Sequence, residues 1–111
     1  MSSYTPDAWK IVKITNPEGE SHYRVFAGWY GGFAGSDAWK MNSGITKFVD
    51  NNDVLEFHGH SGSIYYCARA IERVNGYMFQ VFQSMQKIMQ EMGADLEYLE
   101  FDEFEKEFKP C

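Results

Sequence analysis

Apolar residues in this chain change their period once, between residues 70 and 77, and that change limits the folds open to it. Before it, apolar side chains alternate in short runs separated by turn-forming residues. After it, Met78, Phe82, Met85, Met89 and Met92 recur at 4-3-4-3 spacing, with Val81 and Ile88 widening the stripe. Alternation predicts strands with one buried face, and the later spacing predicts an amphipathic helix of about four turns. The expectation is a single α+β domain over residues 1–111. In it, an antiparallel β-sheet meander of about five strands packs against one long C-terminal amphipathic helix, followed by a last strand or a short acidic helix.

The strands are read from their punctuation. Ala8–Thr15 and His22–Trp29 flank the turn cluster NPEGES and are expected to form a hairpin, with Tyr23, Val25, Ala27 and Trp29 facing one way and His22, Arg24 and Phe26 the other. Residues 1–6 read as a frayed start. Ala38–Val49 reads as one strand, with a bulge at Asn42-Ser43-Gly44. Asp50–Asp53 is a hairpin turn signal between it and Val54–His60, and a tight turn over Gly59–Gly62 leads into Gly62–Ala68. Asn75-Gly76 opens the helix and Gly93 stands where a left-handed cap is expected. Leu96–Phe101 reads as a strand, and Phe101, Phe104 and Phe108 suggest a short helix behind it. The tetrapeptide Asp-Ala-Trp-Lys occurs twice, at Asp7–Lys10 and Asp37–Lys40, and reads as two strands sharing one entry chemistry.

At 111 residues, 44% of them hydrophobic, the chain can bury a core without staples. No apolar run approaches the roughly 20 residues that span a bilayer, so no membrane association is expected. MSSYTPDAWK lacks the basic and apolar regions of a secretory signal, which points to the cytoplasm and to reduced thiols at Cys67 and Cys111. From Glu91 to Cys111 eight acids stand against Lys106 and Lys109, a net of −6 that equals the charge of the whole chain. Residues 1–90 are therefore balanced. With no basic stripe, direct DNA binding is not expected.

Candidate binding chemistry centres on Gly28–Lys47, where Gly28, Gly31, Gly32, Gly35 and Gly44 are interleaved with Trp29, Tyr30, Phe33 and Trp39. This stretch contains neither G-x-x-x-x-G-K-[ST] nor G-x-G-x-x-G, so a P-loop or dinucleotide fold is excluded and no cofactor is expected. The remaining reading is a recognition surface. Backbone amides at Gly31 and Gly32 form an anion nest, and Trp29, Tyr30 or Trp39 stack on a base. Arg24, Lys40 and Arg69 meet phosphate charge, and Asn42, Ser43, His58, Ser61 and Ser63 supply further polar contacts. The plainer alternative is that most of these aromatics are core.

His58 and His60, two apart in a strand, share a face, and His22 is a conceivable third zinc ligand. No cysteine or carboxylate stands at ligand spacing, so no metal site is assigned. Ser61, Ser63 and Cys67 lie near these histidines, but a nucleophile-elbow context is missing and no catalytic residue is assigned. The methionine stripe either covers the sheet or supports a homo-oligomer through Met78, Phe82, Met85, Met89 and Met92.

The strings HYRVFAGWYGGFAGSDAWKMNSGITK and EFHGHSGSIYYC resemble segments of small accessory proteins of tailed bacteriophages, over about residues 8–80. That resemblance implies a non-enzymatic role in the host-cell cytoplasm that counters host defence. Two readings follow. In one, the protein sequesters a small signalling nucleotide in a pocket made by the aromatic–glycine loop and the arginines. In the other, it inhibits a host defence enzyme or nuclease through its acidic and aromatic surface.

Overall fold

Two separate hairpin systems, rather than one meander, organise the chain. The computed structural model describes residues 2–31 and 37–109. Strands β2 (Ala8–Thr15) and β3 (Ser21–Trp29) pair from Ala8↔Gly28 to Thr15↔Ser21, the hairpin expected from their alternation. Asn16 closes the turn. Its Oδ1 accepts from the Glu18 and Glu20 amides, and Gly19 takes φ +87°. Strand β4 (Ala38–Met41) extends this sheet on the β3 side. Strand β8 (Asp95–Leu99) extends it on the β2 side, giving the order β4-β3-β2-β8. The second sheet has the order β1-β7-β6-β5, from β1 (Ser3–Tyr4), β5 (Ile45–Asp50), β6 (Val54–Gly59) and β7 (Ile64–Ala68).

The expected fold is therefore corrected. Among the described residues, eight strands form two four-stranded sheets. Helix α1 (Gly76–Glu91) is not C-terminal but is followed by β8 and by helix α2 (Phe101–Glu107). The N-terminal residues are not frayed, since Ser3 and Tyr4 pair in parallel with Ile64 and Tyr65.

The reason lies at Asn42. Ala38–Val49 is not one bulged strand but two strands in different sheets, joined where the chain turns a corner at Asn42-Ser43-Gly44. The Asn42 amide donates to the Val25 carbonyl, and its Oδ1 accepts from the Val25 amide at 2.9 Å. The side chain thus replaces the ladder bonds that β4 gives up as it leaves β3. Asn42 is 2% exposed, and Gly44 beyond it takes φ +124°, with its Cα against the His60 ring.

The sheets pack face to face. Trp9, Ile11, Val25 and Ala27 meet Ile45, Leu55, Phe57, Tyr65 and Cys67, and α2 adds Phe101 and Phe104 to the same core. The outer face of the β2–β3 sheet is covered in turn by α1, where Met78 and Phe82 pack on Ala8, Val12, Phe26 and Leu96. Asn75 caps this helix by accepting from the Met78 amide, and Gly28 has no Cβ to obstruct Met78 Sδ. Met85 and Met89 also lie on this core, so the methionine stripe covers the sheet. Of its five residues only Met92, past the helix end, is exposed, at 71%.

Lys10 is the charged residue this burial traps. It is 8% exposed and pairs with Glu72 at 3.1 Å and Glu100 at 2.8 Å. Burial opposes its charge, but hydrogen bonds to Glu100 and Glu72 outweigh it and hold the ammonium above its ordinary range. Glu72 also accepts from the Phe101 amide, so one carboxylate joins β2 to the start of α2.

Replacing Asn42 with alanine orphans the buried Val25 amide, and the expected loss of unfolding free energy is about 1–3 kcal/mol. Urea denaturation at neutral pH measures it. An unchanged midpoint would show that the corner is held by other contacts.

Candidate functional site

The two ends of β3 carry two recesses, roughly 23 Å apart at the strand rise. One, of about 280 Å³, is lined by Tyr4, Trp29, Ala38, Trp39 and Lys40 at the mouth of the glycine-rich stretch. The other, of about 310 Å³, is lined by Ser21, His22, Tyr23, Ile45, Thr46, His60, Phe108 and Lys109, at the seam between the sheets.

The first recess holds Trp29, Trp39 and Lys40, three of the residues expected to bind. Its geometry does not assemble them around one ligand. Trp29 pairs with Ala38 and Trp39 with Gly28, so the two rings project from opposite faces of the sheet. Trp29 meets Tyr4 edge-on between the sheets and donates Nε1–H to the Thr5 carbonyl. Trp39 meets Phe26 on the helix side. The amides expected to cradle an anion are already engaged. Tyr30 N–H donates to Asp7 Oδ2 and Gly31 N–H to Asp37 Oδ1, each at 2.9 Å. The repeated Asp-Ala-Trp-Lys thus has a shared role, with the aspartate of each copy filling one part of the nest. Lys40 Nζ lies 5.3 Å from the Tyr4 ring centre, and the Tyr30 hydroxyl accepts from Arg73. Gly32, also expected here, lies outside the described residues.

The remaining expected residues scatter. Arg24 donates to His22 Nε2 at 3.1 Å. Arg69 is spent on Asp50 and the Asn52 carbonyl, with its guanidinium over Phe101. Asn42 is the buried corner. Ser43, Ser61 and Ser63 form a chain of hydroxyl contacts that ties the β6–β7 turn to that corner. His58 lies on the open face of the β1-β7-β6-β5 sheet, 3.4 Å from Glu56. β6 ends at Gly59, so His60 is a turn residue and does not share a face with His58, which removes the zinc arrangement considered above. Among the described residues no group of three or more His, Cys, Asp or Glu is placed to hold a metal ion. Burial pushes the Cys67 thiol up and out of the nucleophilic range.

The seam pocket is built by long-range contacts. β4 stops pairing at Phe26, so the first half of β3 is left as an edge, and the corner at Asn42 brings Ile45 and Thr46 beside it. α2 closes the floor. Glu107 accepts from the Tyr23 hydroxyl at 2.8 Å and pairs with Lys13 at 2.9 Å, which seats Phe108 and Lys109 at the pocket. The hydrogen bond from Lys13, then that from Tyr23, holds the Glu107 carboxyl below its usual range. His60 hangs over Gly44 and lines the pocket together with His22. Two imidazoles, an ammonium, two hydroxyls and two aromatic rings therefore line one cavity. This set suits a small anion with an apolar body. Its residues are separated by as much as 88 positions in sequence, and the helical spacing of Phe101, Phe104 and Phe108 is the one local signal that pointed towards it.

No family model, curated protein or solved structure matches this chain. Among the described residues no helix is long and apolar enough to cross a membrane.

Burial, then the charges of Arg24 and His60, lower the His22 pKa. A lowered folded value means that neutral His22 adds stability above about pH 6.5, and that this contribution is lost as the pH falls through the folded value. His22 is partly exposed, so the slope is shallow. In His22→Asn, stability measured by urea between pH 7.5 and pH 5 is expected to fall less than in the parent. An equal fall in both would place the acid sensitivity elsewhere.

Proposed function

We propose that this chain is a phage-type accessory protein that acts by non-enzymatic binding in the host cytoplasm, sequestering a small signalling nucleotide in the seam pocket. The observation that carries this reading is the convergence of His22, His60 and Lys109 on a cavity walled by Tyr23 and Phe108. In it the Lys109 ammonium meets phosphate, imidazole N–H groups donate hydrogen bonds to it, and the rings meet the base or sugar. A cavity of about 310 Å³ stands at the small end of ligand sites, which favours a ligand of single-nucleotide size over a dinucleotide. The anti-defence role rests on the resemblance of the HYRVFAGWYGGFAGSDAWKMNSGITK and EFHGHSGSIYYC strings.

The test is equilibrium dialysis against cyclic mononucleotides and ADP-ribose derivatives, followed by denaturation and recovery of the ligand. Recovery of an intact nucleotide is expected, with affinity reduced at least tenfold in His60→Ala and in Lys109→Ala and unchanged in Lys40→Ala. A processed product would make the protein an enzyme, and no binding across the panel would end this reading.

A second reading, inhibition of a defence enzyme through the acidic C-terminus, is favoured by one observation. That segment is folded, with Phe101 and Phe104 in the core and Asp95, Glu97, Asp102, Glu103 and Glu105 exposed. A fixed array of carboxylates suits a basic groove on a protein. Truncation after Gly93 would remove core residues, so charge is the variable to change. In the triple variant D102N/E103Q/E105Q, with the fold intact by circular dichroism, loss of host-system inhibition supports this reading and full retention excludes it.

A further inference from the structure

Helix α1 has a second apolar row that, apart from Val81, its packing on the sheet leaves largely uncovered. Met78, Phe82, Met85 and Met89 face the sheet. At 100° per residue, Tyr77, Val81, Ile88 and Met92 fall on the adjoining shoulder within an arc of about 60°. Tyr77 is 36% exposed, Ile88 57% and Met92 71%, and Val81 is half-buried. Ile88 and Met92 exceed every other large apolar side chain among the described residues.

We infer that this shoulder is the contact surface of a homodimer, in which two copies of α1 lie antiparallel about a two-fold axis beside Ser84 and Met85. The occupant is a second copy because the row is self-complementary. Reversed about the Ser84–Met85 midpoint, Tyr77 meets Met92 and Val81 meets Ile88, as an isologous interface requires. Ser84, small and at the centre, lets the helices approach. Charge points the same way. The whole chain carries −6, but Lys87 and Glu91 are the only charged residues of α1, and in this pairing neither stands opposite a like charge. A partner of strong charge would find little to pair with here. A 16-residue helix about 24 Å long and about 10 Å wide offers about 240 Å² per partner, well short of the roughly 800 Å² of a standard interface, so the dimer is weak and forms at high concentration.

Sedimentation equilibrium on the full chain, at concentrations rising into the millimolar range, should show the mass climbing towards that of two chains. Ile88→Glu and Met92→Glu change exposed positions, so their circular dichroism should match the parent while self-association weakens at least tenfold. A parent that stays monomeric throughout, or variants that associate as the parent does, would overturn the inference. Position is checked separately in a Cys111→Ser background. Ser84→Cys should form a disulfide-linked dimer on mild oxidation, and Gln83→Cys, on the other side of the helix, should not. Equal cross-linking of the two would also overturn it.

Discussion

Strand β2 is buried from both sides, and the rest of the architecture follows from that. Trp9 and Ile11 are 0% exposed against the second sheet, and Ala8 and Val12 are 0% exposed beneath α1. A strand with two apolar faces needs two covering layers. The order sheet, sheet, helix meets that need, and it requires the chain to leave the first sheet, build the second, and return. It leaves at Asn42, whose side chain substitutes for a strand's hydrogen bonds. It returns through α1 and β8, with β8 pairing against β2. Lys10 lies on this doubly covered strand, and Glu72 and Glu100 keep its charge satisfied.

The seam pocket is a consequence of the same route. β3 is longer than β4, so its first residues remain unpaired on one edge once the chain turns the corner. The β6–β7 turn, held by the serine contacts, carries His60 to that edge. α2 closes the cavity because Glu107 is fixed by Lys13 and Tyr23. These residues come from segments far apart in sequence, brought together by hydrogen bonds and by the close approach at Gly44.

Much of the secondary structure was legible in the sequence, and most of the tertiary assignment was not. The NPEGES hairpin, the turn over Asp50–Asp53 with Asn52 at φ 72°, the Asn75 cap and Gly93 at φ +84° all follow local chemistry and appear where that chemistry puts them. Alternation says which residues share a face, but not which sheet a strand joins. The five-strand meander therefore failed at Asn42, where a polar triplet reads equally as a bulge or a corner. β8 was expected as a strand, but its pairing with β2 depends on a helix between them and leaves no local mark. In the glycine-rich stretch the Gly31 amide was expected to meet a ligand's anion, and it and the Tyr30 amide instead donate to carboxylates of the chain itself. The anions are the protein's own Asp7 and Asp37, and the duplicated tetrapeptide was the available clue. His22 and His60 were considered for zinc and not as pocket residues, because the turn that carries His60 reaches β3 only after the corner is turned.

We propose that recognition occurs at the seam and not at the aromatic recess. Titration of the ¹⁵N-labelled protein with the tightest-binding nucleotide of the panel tests it most directly. Shifts are expected on the amides of Ser21, His22, Thr46 and Lys109 and on the His60 ring, with the indole N–H signals of Trp29 and Trp39 unmoved. Shifts centred on those two indoles and on Lys40, with the seam silent, would contradict it.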